Sequence, residues 1–553
     1  MIPMHTAVDN IFTPFAAFLI ALLVSVGVIP VMIRIAPRLG MIDKPDLRKV
    51  HKAPIARVGG LGIAIGAILA FCVLAPRTPF MLSFTAGASI LALFGAWDDA
   101  RELGHYTKFI GQFAAAAIVI WGGNVWIEQL PFLAAPLPPW IGKPFTLVAI
   151  VGVINATNHS DGLDGLAGGE TLLSLGALSC LAYLTGSVRF LVFTAAVGGG
   201  LLGFVRFNTY PAKVFMGDLG SQFLGFSVGV LAITLTQQVN PSLGACLALL
   251  LVGLPVIDIV AVLYQRIRGG MNWFRATRNH IHHRLLDLGF DHYQVVLIIY
   301  AIQATLTFVA IFVCYESDAL ILTIYFGVAI SIFFLLVLAE KRGWRLTRAK
   351  PSLPTRFMAA LNETSPLLRA PLLFVQISIP LYLIISSAEI GNYDTISPIR
   401  IYLLILTGLL AVLLTLGVRR SLIIYRLSLY SSIGMIAYCI YSAPAHFNVF
   451  GATANLLYFL GLSIAISLMA TLNRIDDFAA TNMDFLIIAG LITAASFSQE
   501  IVGTGRFWIV VIGTTVVFYA CELIILRGTQ AWNRLLGASA VGGLGIIVAR
   551  LFL

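Results

Sequence analysis

Apolar runs of about 18 residues or more recur from one end of this chain to the other. In hydrocarbon each backbone N–H and C=O needs a partner within the chain, so runs of this length fold as membrane-crossing helices. The chain has 553 residues, of which 59% are hydrophobic and 11% charged, and its mean hydropathy is +0.94. That composition excludes a soluble globular protein. A net charge of +10 would suit nucleic acid. The basic residues, however, sit in short loops between apolar runs, where lipid head groups and the positive-inside effect account for them, and no nucleic-acid partner is expected. The cysteines Cys72, Cys180, Cys246, Cys314, Cys439 and Cys521 lie in or beside apolar runs without metal-ligand or disulfide spacing. They read as small packing residues. The first run, 11–36, is too long for a signal-peptide core, lacks a cleavage site and reads as a retained helix.

The runs predict an all-α polytopic integral membrane protein with about eleven transmembrane helices in a core and about seven in a C-terminal extension. The core spans are expected near 11–36, 57–76, 80–97, 107–123, 143–157, 168–186, 188–206, 215–236, 242–264, 293–314 and 318–339. The extension spans are expected near 372–388, 400–417, 422–442, 450–472, 484–498, 507–525 and 535–552. Between them a basic, Pro-punctuated linker runs over 341–371, which gives a core of 1–340 and a C-terminal membrane domain of 372–553. That domain has no histidine cluster or Gly-rich polar turn, its Asp476-Asp477 pair reads as a solvated loop, and no repeat relates it to the core.

With this count, loops after odd-numbered spans hold Arg38, Lys44, Arg48, Lys49, Lys52, Arg57, Arg101, Lys108, Arg206, Lys213 and the basic residues of 266–284. Loops after even-numbered spans hold little beyond Arg77, Lys143 and Arg189, so the odd loops are expected in the cytoplasm. Five polar clusters lie in those same odd loops, as a composite site on one face would require.

The densest cluster is 155–169, which packs Asn155, Asn158, His159, Asp161 and Asp164 among four glycines. Its glycines permit tight turns and close approach to a ligand, and its carboxylates suit a hard cation such as Mg²⁺. Another, running from Asp43 through Arg48, His51 and Arg57 to Gly59-Gly60, suits lipid head groups, or a phosphate at a helix start. Asp98-Asp99, with Lys108 beyond, pairs adjacent carboxylates that stay ionised only beside a cation. Helix capping accounts for one of them better than for two. The stretch Arg206–Ser221 carries Asn208, Lys213, Phe215 and Asp218. Its Gly-Asp-x-Gly-Ser turn suits metal ligation with amides turned to phosphate, and Phe215 suits either core packing or base stacking. The last cluster has His280, His282, His283 and Arg284. Zinc sites more often space histidines i, i+4 or add other ligands, so these read better as donors to pyrophosphate or sugar oxygens.

Taken together, these motifs resemble those of the polyprenyl-phosphate N-acetylhexosamine-1-phosphate transferases, a glycosyltransferase family 4 type that includes the phospho-MurNAc-pentapeptide transferase. The resemblance covers residues 11 to about 340. It rests on Arg48-Lys-x-His51 with Pro-x-x-Arg57-x-Gly-Gly, Asp98-Asp99 with Lys108, Asn155-x-x-Asn158-x-x-Asp161-Gly-x-Asp164-Gly, Asn208-x-x-Pro-Ala-Lys213-x-Phe215-Met-Gly-Asp218, and His280-Ile-His282-His283-Arg284. The His-x-His-His form looks more like the GlcNAc-1-phosphate branch. The resemblance implies Mg²⁺-dependent transfer (Mn²⁺ as a substitute) of GlcNAc-1-phosphate from a UDP-sugar to undecaprenyl phosphate. UMP is released, and a lipid-linked cell-surface polysaccharide is begun at the cytoplasmic face of a bacterial inner membrane. It implies Asp218 as metal ligand, Asp98 and Asp99 at the lipid phosphate with Asp98 as base or nucleophile, and Lys108 on a phosphate. Asn158, Asp161, Asp164, Asn208 and Phe215 would lie around the nucleotide, and the histidines near the pyrophosphate or sugar. Arg48, His51, Arg57, Asn155, Lys213 and Arg284 complete the expected substrate contacts. A homodimer and later glycosyltransferases of the same pathway are compatible partners.

Two departures from the family pattern stand out. Thr277-Arg278 replaces the frequent Asp-Arg before the histidines, and about two hundred C-terminal residues have no counterpart. The alternatives are the same reaction with another UDP-sugar (MurNAc-pentapeptide, QuiNAc or FucNAc) and a transporter or flippase for lipid-linked sugars. Transporters usually place their essential polar groups at mid-membrane, which one-sided clusters do not match.

Overall fold

The computed structural model describes residues 4–43, 54–133, 135–271, 279–346, 366–389 and 530–552, with scattered positions between 408 and 525. The described residues form two compact units, one up to residue 346 and one from 366 onward.

The first unit is helical apart from one short hairpin. Helix α1 (Met4–Leu39) leads into β1 (Ile42–Asp43), which pairs antiparallel with β2 (Ile55–Ala56). Then come α2 (Gly59–Leu74), α3 (Pro79–Arg101), and α4 (His105–Ala117), which continues as a π-helical turn to Gly122. Helices α5 (Pro139–Ser160), α6 (Leu166–Leu184) and α7 (Val188–Asn208) precede α8 (Gly217–Thr234), which is extended by a second π turn to Val239. Helix α9 (Leu247–Arg268), the short α10 (Ile281–Asp287), α11 (His292–Phe312) and α12 (Asp318–Lys341) complete the unit.

Helix α8 is the axis of this unit: it is buried throughout 219–234, with α5, α3 and α2 packed directly on it. Lipid tails give helices no hydrophobic reason to associate, so close van der Waals approach has to hold them together. Small residues allow it. A Cβ on Gly225 would stand 2.7 Å from Ile154 Cα, and Gly60 of α2 meets Gly220 of α8 backbone to backbone. Phe71, Phe84, Phe193 and Phe226 fill the space beyond, in tilted and edge-on pairs with centroids 5.3–5.7 Å apart. Helix α9 breaks at Gly253 (φ 53°, ψ −130°) ahead of Pro255. The freed Leu254 amide donates to Oε1 of the wholly buried Gln303 at 2.9 Å.

Eleven described helices are long and apolar enough to cross a membrane, nine before residue 342 and two after it, so the protein is an all-α polytopic membrane protein. The spans expected at 57–76 and 107–123 fold as shorter helices, α2 with 16 residues and α4 with its π turn. The span expected at 143–157 begins at Pro139, because prolines start the helix where no N–H is needed. In the second unit, the helices Pro366–Glu389 and Gln530–Phe552 pack together through Val375, Ile379, Leu383, Leu536, Ala540 and Leu544. They coincide with the predicted spans 372–388 and 535–552. The other five predicted spans, Asp476-Asp477 and linker residues 347–365 lie outside the described residues, scattered single positions apart.

Candidate active site

The described residues of all five polar clusters meet at one end of the first unit. The β1–β2 hairpin places the Arg57 guanidinium on the Asp43 carboxylate, with Glu102 3.8 Å away at the end of α3. Val214 pairs beside β2 in a parallel bridge with Ala56, and Phe215 N–H donates to the Ala56 carbonyl at 2.8 Å. The Phe215 and Met216 carbonyls accept from Gly59 N–H (3.0 Å) and Gly60 N–H (2.8 Å). This corrects one expectation. The amides at the start of α2 are occupied by backbone carbonyls, so Gly59-Gly60 serves helix packing and offers no phosphate cradle.

The adjacent carboxylates divide. Asp98 and Asp218 share the Lys108 ammonium, which lies 2.7 Å from Asp98 Oδ2 and also contacts Asp218 Oδ2. Asp98 Oδ1 accepts the Leu103 amide at 2.6 Å. Asp99 turns inward and accepts from the Asp218 (2.9 Å) and Leu219 (3.1 Å) amides at the start of α8. Gly217 just before them has φ +74°, and any Cβ there would meet the Asp99 carboxylate. Asp99, expected at the lipid phosphate, here caps a helix 119 positions away, and the α8 amides expected to turn to phosphate face its carboxylate.

The 161–165 turn is pinned at almost every residue. Asp164 Oδ2 accepts from Ala212 N–H at 2.9 Å, and Asn208 Oδ1 from Gly165 N–H at 2.9 Å. Asn208 Nδ2 donates to the Val214 carbonyl at 2.9 Å, so this buried side chain is a strut between two loops. Tyr300 donates its hydroxyl to the Gly165 carbonyl, and the His282 ring lies over Gly162 where a Cβ would stand. Asn158 donates to Ser221 Oγ at 3.0 Å. Asn155 donates to Gln112 Oε1 at 2.7 Å, and Gln112 to Gln222 at 3.2 Å, a buried polar chain beneath the site. Within the turn only the Asp161 carboxylate accepts no hydrogen bond from the described residues. Burial, then the fields of Asp218 and Asp164, push its pKa up to about 7.

The histidines form a ladder. His280 hydrogen-bonds Asp258 Oδ2 through Nδ1 at 2.7 Å, and Asp258 Oδ1 accepts the Ile281 amide at 2.9 Å. Its ring stacks on His159 (centroids 5.3 Å apart) and on His282 (5.7 Å), and His282 touches His283 at 4.2 Å. Burial, then its two histidine neighbours, pull the His282 pKa down to about 3, so this imidazole is neutral. Arg284 is paired with Glu340. Lys213 is exposed and Phe215 half-buried. Arg48, His51, Thr277 and Arg278 lie outside the described residues.

Asp258, Gln222 and Glu340 belong to this region without having been singled out from sequence. Asp258 had a signal, since a lone carboxylate within the apolar run 242–264 has a purpose by default. Among the described residues no three His, Cys, Asp or Glu side chains gather as a cation cage. The donors on offer are Asp161, whose carboxylate is unbonded, and Asp218, which repels it. So sparse a set fits Mg²⁺, which keeps several waters and takes one or two carboxylates alongside substrate phosphates.

Residues 81–236 match the family model described as glycosyl transferase family 4. A probable undecaprenyl-phosphate N-acetylglucosaminyl 1-phosphate transferase of Bacillus subtilis strain 168 is 33% identical over 338 residues, which are 61% of this chain and 94% of the relative. The undecaprenyl-phosphate alpha-N-acetylglucosaminyl 1-phosphate transferase of Escherichia coli K12 is 29% identical over 325 residues, 57% of this chain and 88% of the relative. Its namesake in Yersinia pestis is 28% identical over 350 residues, 61% of this chain and 94% of the relative. These relatives are matched over nearly their whole length, 88–94%, by 57–61% of this chain. The chain therefore belongs to glycosyl transferase family 4, in the branch of the undecaprenyl-phosphate N-acetylglucosaminyl 1-phosphate transferases, and is a phosphotransferase.

Proposed function

We propose that this protein transfers N-acetylglucosamine 1-phosphate from UDP-N-acetylglucosamine to undecaprenyl phosphate with Mg²⁺, at the cytoplasmic face of a bacterial inner membrane. The observation that carries the reading is the meeting of Asp98, Lys108, Asp218 and Asp161 at one end of a membrane bundle. Both substrates are phosphate anions, one in water and one in the bilayer, so the reaction needs charge neutralisation at a membrane boundary.

An oxygen of the lipid phosphate attacks the sugar-bearing phosphorus of the donor, the bond to the UMP oxygen breaks, and UMP leaves with that oxygen. No proton has to move, because at neutral pH the attacking phosphate is already largely ionised. Asp161 and Asp218 would hold Mg²⁺, which when bound offsets the charge of the approaching phosphates. Lys108, shared by two carboxylates, is placed to exchange one of them for a phosphate oxygen. Asp98 is bonded on both oxygens, which suits an anchor for Lys108 better than a nucleophile. The neutral His282 and the Asp258-held His280 supply N–H donors toward pyrophosphate or sugar oxygens.

The test is UMP release by purified protein with undecaprenyl phosphate, Mg²⁺ and a panel of UDP-sugars, beside Asp218→Asn. Release that needs lipid, metal and UDP-N-acetylglucosamine, and is lost in Asp218→Asn, is the expected result. Release with a different UDP-sugar alone keeps the reaction and replaces the donor. No release from folded protein with any donor overturns the reading.

A further inference from the structure

Arg284 follows the last histidine of α10, where an open guanidinium would suit a phosphate. Instead its Nε donates to Glu340 Oε1 at 2.7 Å and its Nη2 to Glu340 Oε2 at 2.8 Å, a two-pronged fork onto the last turn of α12. The guanidinium carbon lies 5.9 Å from the Phe333 ring centroid, also on α12, and the side chain is only 11% exposed. Contact continues beyond the helix. Trp344 packs on Phe290 with ring centroids 5.8 Å apart, and Leu346 N–H donates to the Leu288 carbonyl at 2.9 Å. Thus α10 is gripped at its start by Asp258 and at its end by α12 and the segment that follows. Its seven residues are too few to hold a helix unaided.

We infer that Arg284 and Glu340 are positioning residues, whose fork fixes α10 against α12 and so sets His282 and His283 for the transferred phosphates. The activity arm of the test rests on the reaction proposed above, while the structural arm does not. A partly exposed ion pair adds little to global stability. Its effect belongs to alignment, where misplacement by about 1 Å can cost about 100-fold in rate.

The experiment uses the full-length protein with Glu340→Gln, Arg284→Glu and the exchange Arg284→Glu with Glu340→Arg. Donor kinetics are measured together with the rate at which diethyl pyrocarbonate modifies His282 and His283, read by peptide mass. Glu340→Gln is expected to lower kcat about 10-fold or more with KM nearly unchanged, to leave the melting temperature in place, and to speed histidine modification. The exchange is expected to restore the wild-type modification rate and most of kcat. Wild-type kcat and modification rates in Glu340→Gln would overturn the inference. So would an exchange variant as inactive as Arg284→Glu while Glu340→Gln is unaffected, because Arg284 would then touch substrate itself. Should the wild type transfer nothing from any donor, the proposed reaction fails. The modification rates still decide the clamp, with unchanged rates in Glu340→Gln counting against it.

Discussion

Asp98, Asp99, Asp161, Asp164 and Asp218 gather at one end of this bundle, and their neighbours give them different work. Asp99 spends both oxygens on the first amides of α8, Asp164 holds the Ala212 amide, and Asp98 holds Lys108. Asp161 accepts no hydrogen bond from the described residues, and Asp218 has the shared ammonium, Asp98 and the neighbouring Asn158 beside it. Asp99→Ala is therefore expected to cost about 1–2 kcal/mol of stability by stripping a buried cap. Asp218→Asn is expected to keep the melting temperature and lose turnover, and thermal unfolding beside UMP release separates the two. Asp161 gives a pH prediction. Its folded pKa of about 7 lies above the ordinary 3.8, so ionising it destabilises the fold. That penalty is complete above about pH 7 and fades as pH falls toward 3.8. In chelator, wild type should gain on Asp161→Asn in melting temperature as pH drops through that window, and saturating Mg²⁺ at neutral pH should close the gap. A gap that does not move with pH would show that Asp161 is not held as described. The residue types were legible in the sequence because phosphate chemistry demands them. Which carboxylate caps and which stays open was not, since that depends on amides up to 120 positions away.

The membrane spans among the described residues were legible because hydropathy is a local property, whereas their ends were set by contacts the sequence does not display. Helix α2 is shorter than its apolar run suggests because it starts where Gly59 and Gly60 hydrogen-bond residues 215–216. The same glycines that suggested a phosphate cradle are instead what lets two helix starts touch. A Cβ on Gly60 would meet the Gly220 backbone, and one on Gly95 the Leu219 backbone, where no flexible side chain can yield. Gly60→Ala and Gly95→Ala should each cost about 1–3 kcal/mol or more by overpacking. Because the strain falls at the start of α8, they should also reduce turnover although neither residue meets substrate. Wild-type melting temperature and UMP release in both variants would refute this account of α8. The histidine helix teaches the same lesson. His280, His282 and His283 stand out in sequence as a cluster, but their supports Asp258 and Glu340 lie 22 and 56 positions from their partners.

At the scale of the molecule, the chain is longer than its relatives need. The relatives are covered to 88–94% of their own length by 57–61% of this chain, and every described site residue lies at or before Glu340. Among the described residues, the last link between α10 and the chain that follows α12 is the Leu346 amide on the Leu288 carbonyl. Beyond it the described residues belong to the second unit, which has its own buried cluster around Val375, Leu383, Leu536 and Leu544. A core that carries its own axis, its own site and its own clamp does not need the second unit to align phosphates. A chain ending after Leu346 should therefore fold in membranes and release UMP at a rate comparable to the full protein. One ending after Val337, which lacks Glu340, should lose the Arg284 partner and fall in kcat as Glu340→Gln does. Both are read by size-exclusion profile and turnover in the same detergent. A chain ending after Leu346 that is monodisperse, with an unchanged melting temperature, yet inactive would give the C-terminal unit a direct part in the reaction. In that case the second unit, and not the clamp, would be the place to look for what completes the site.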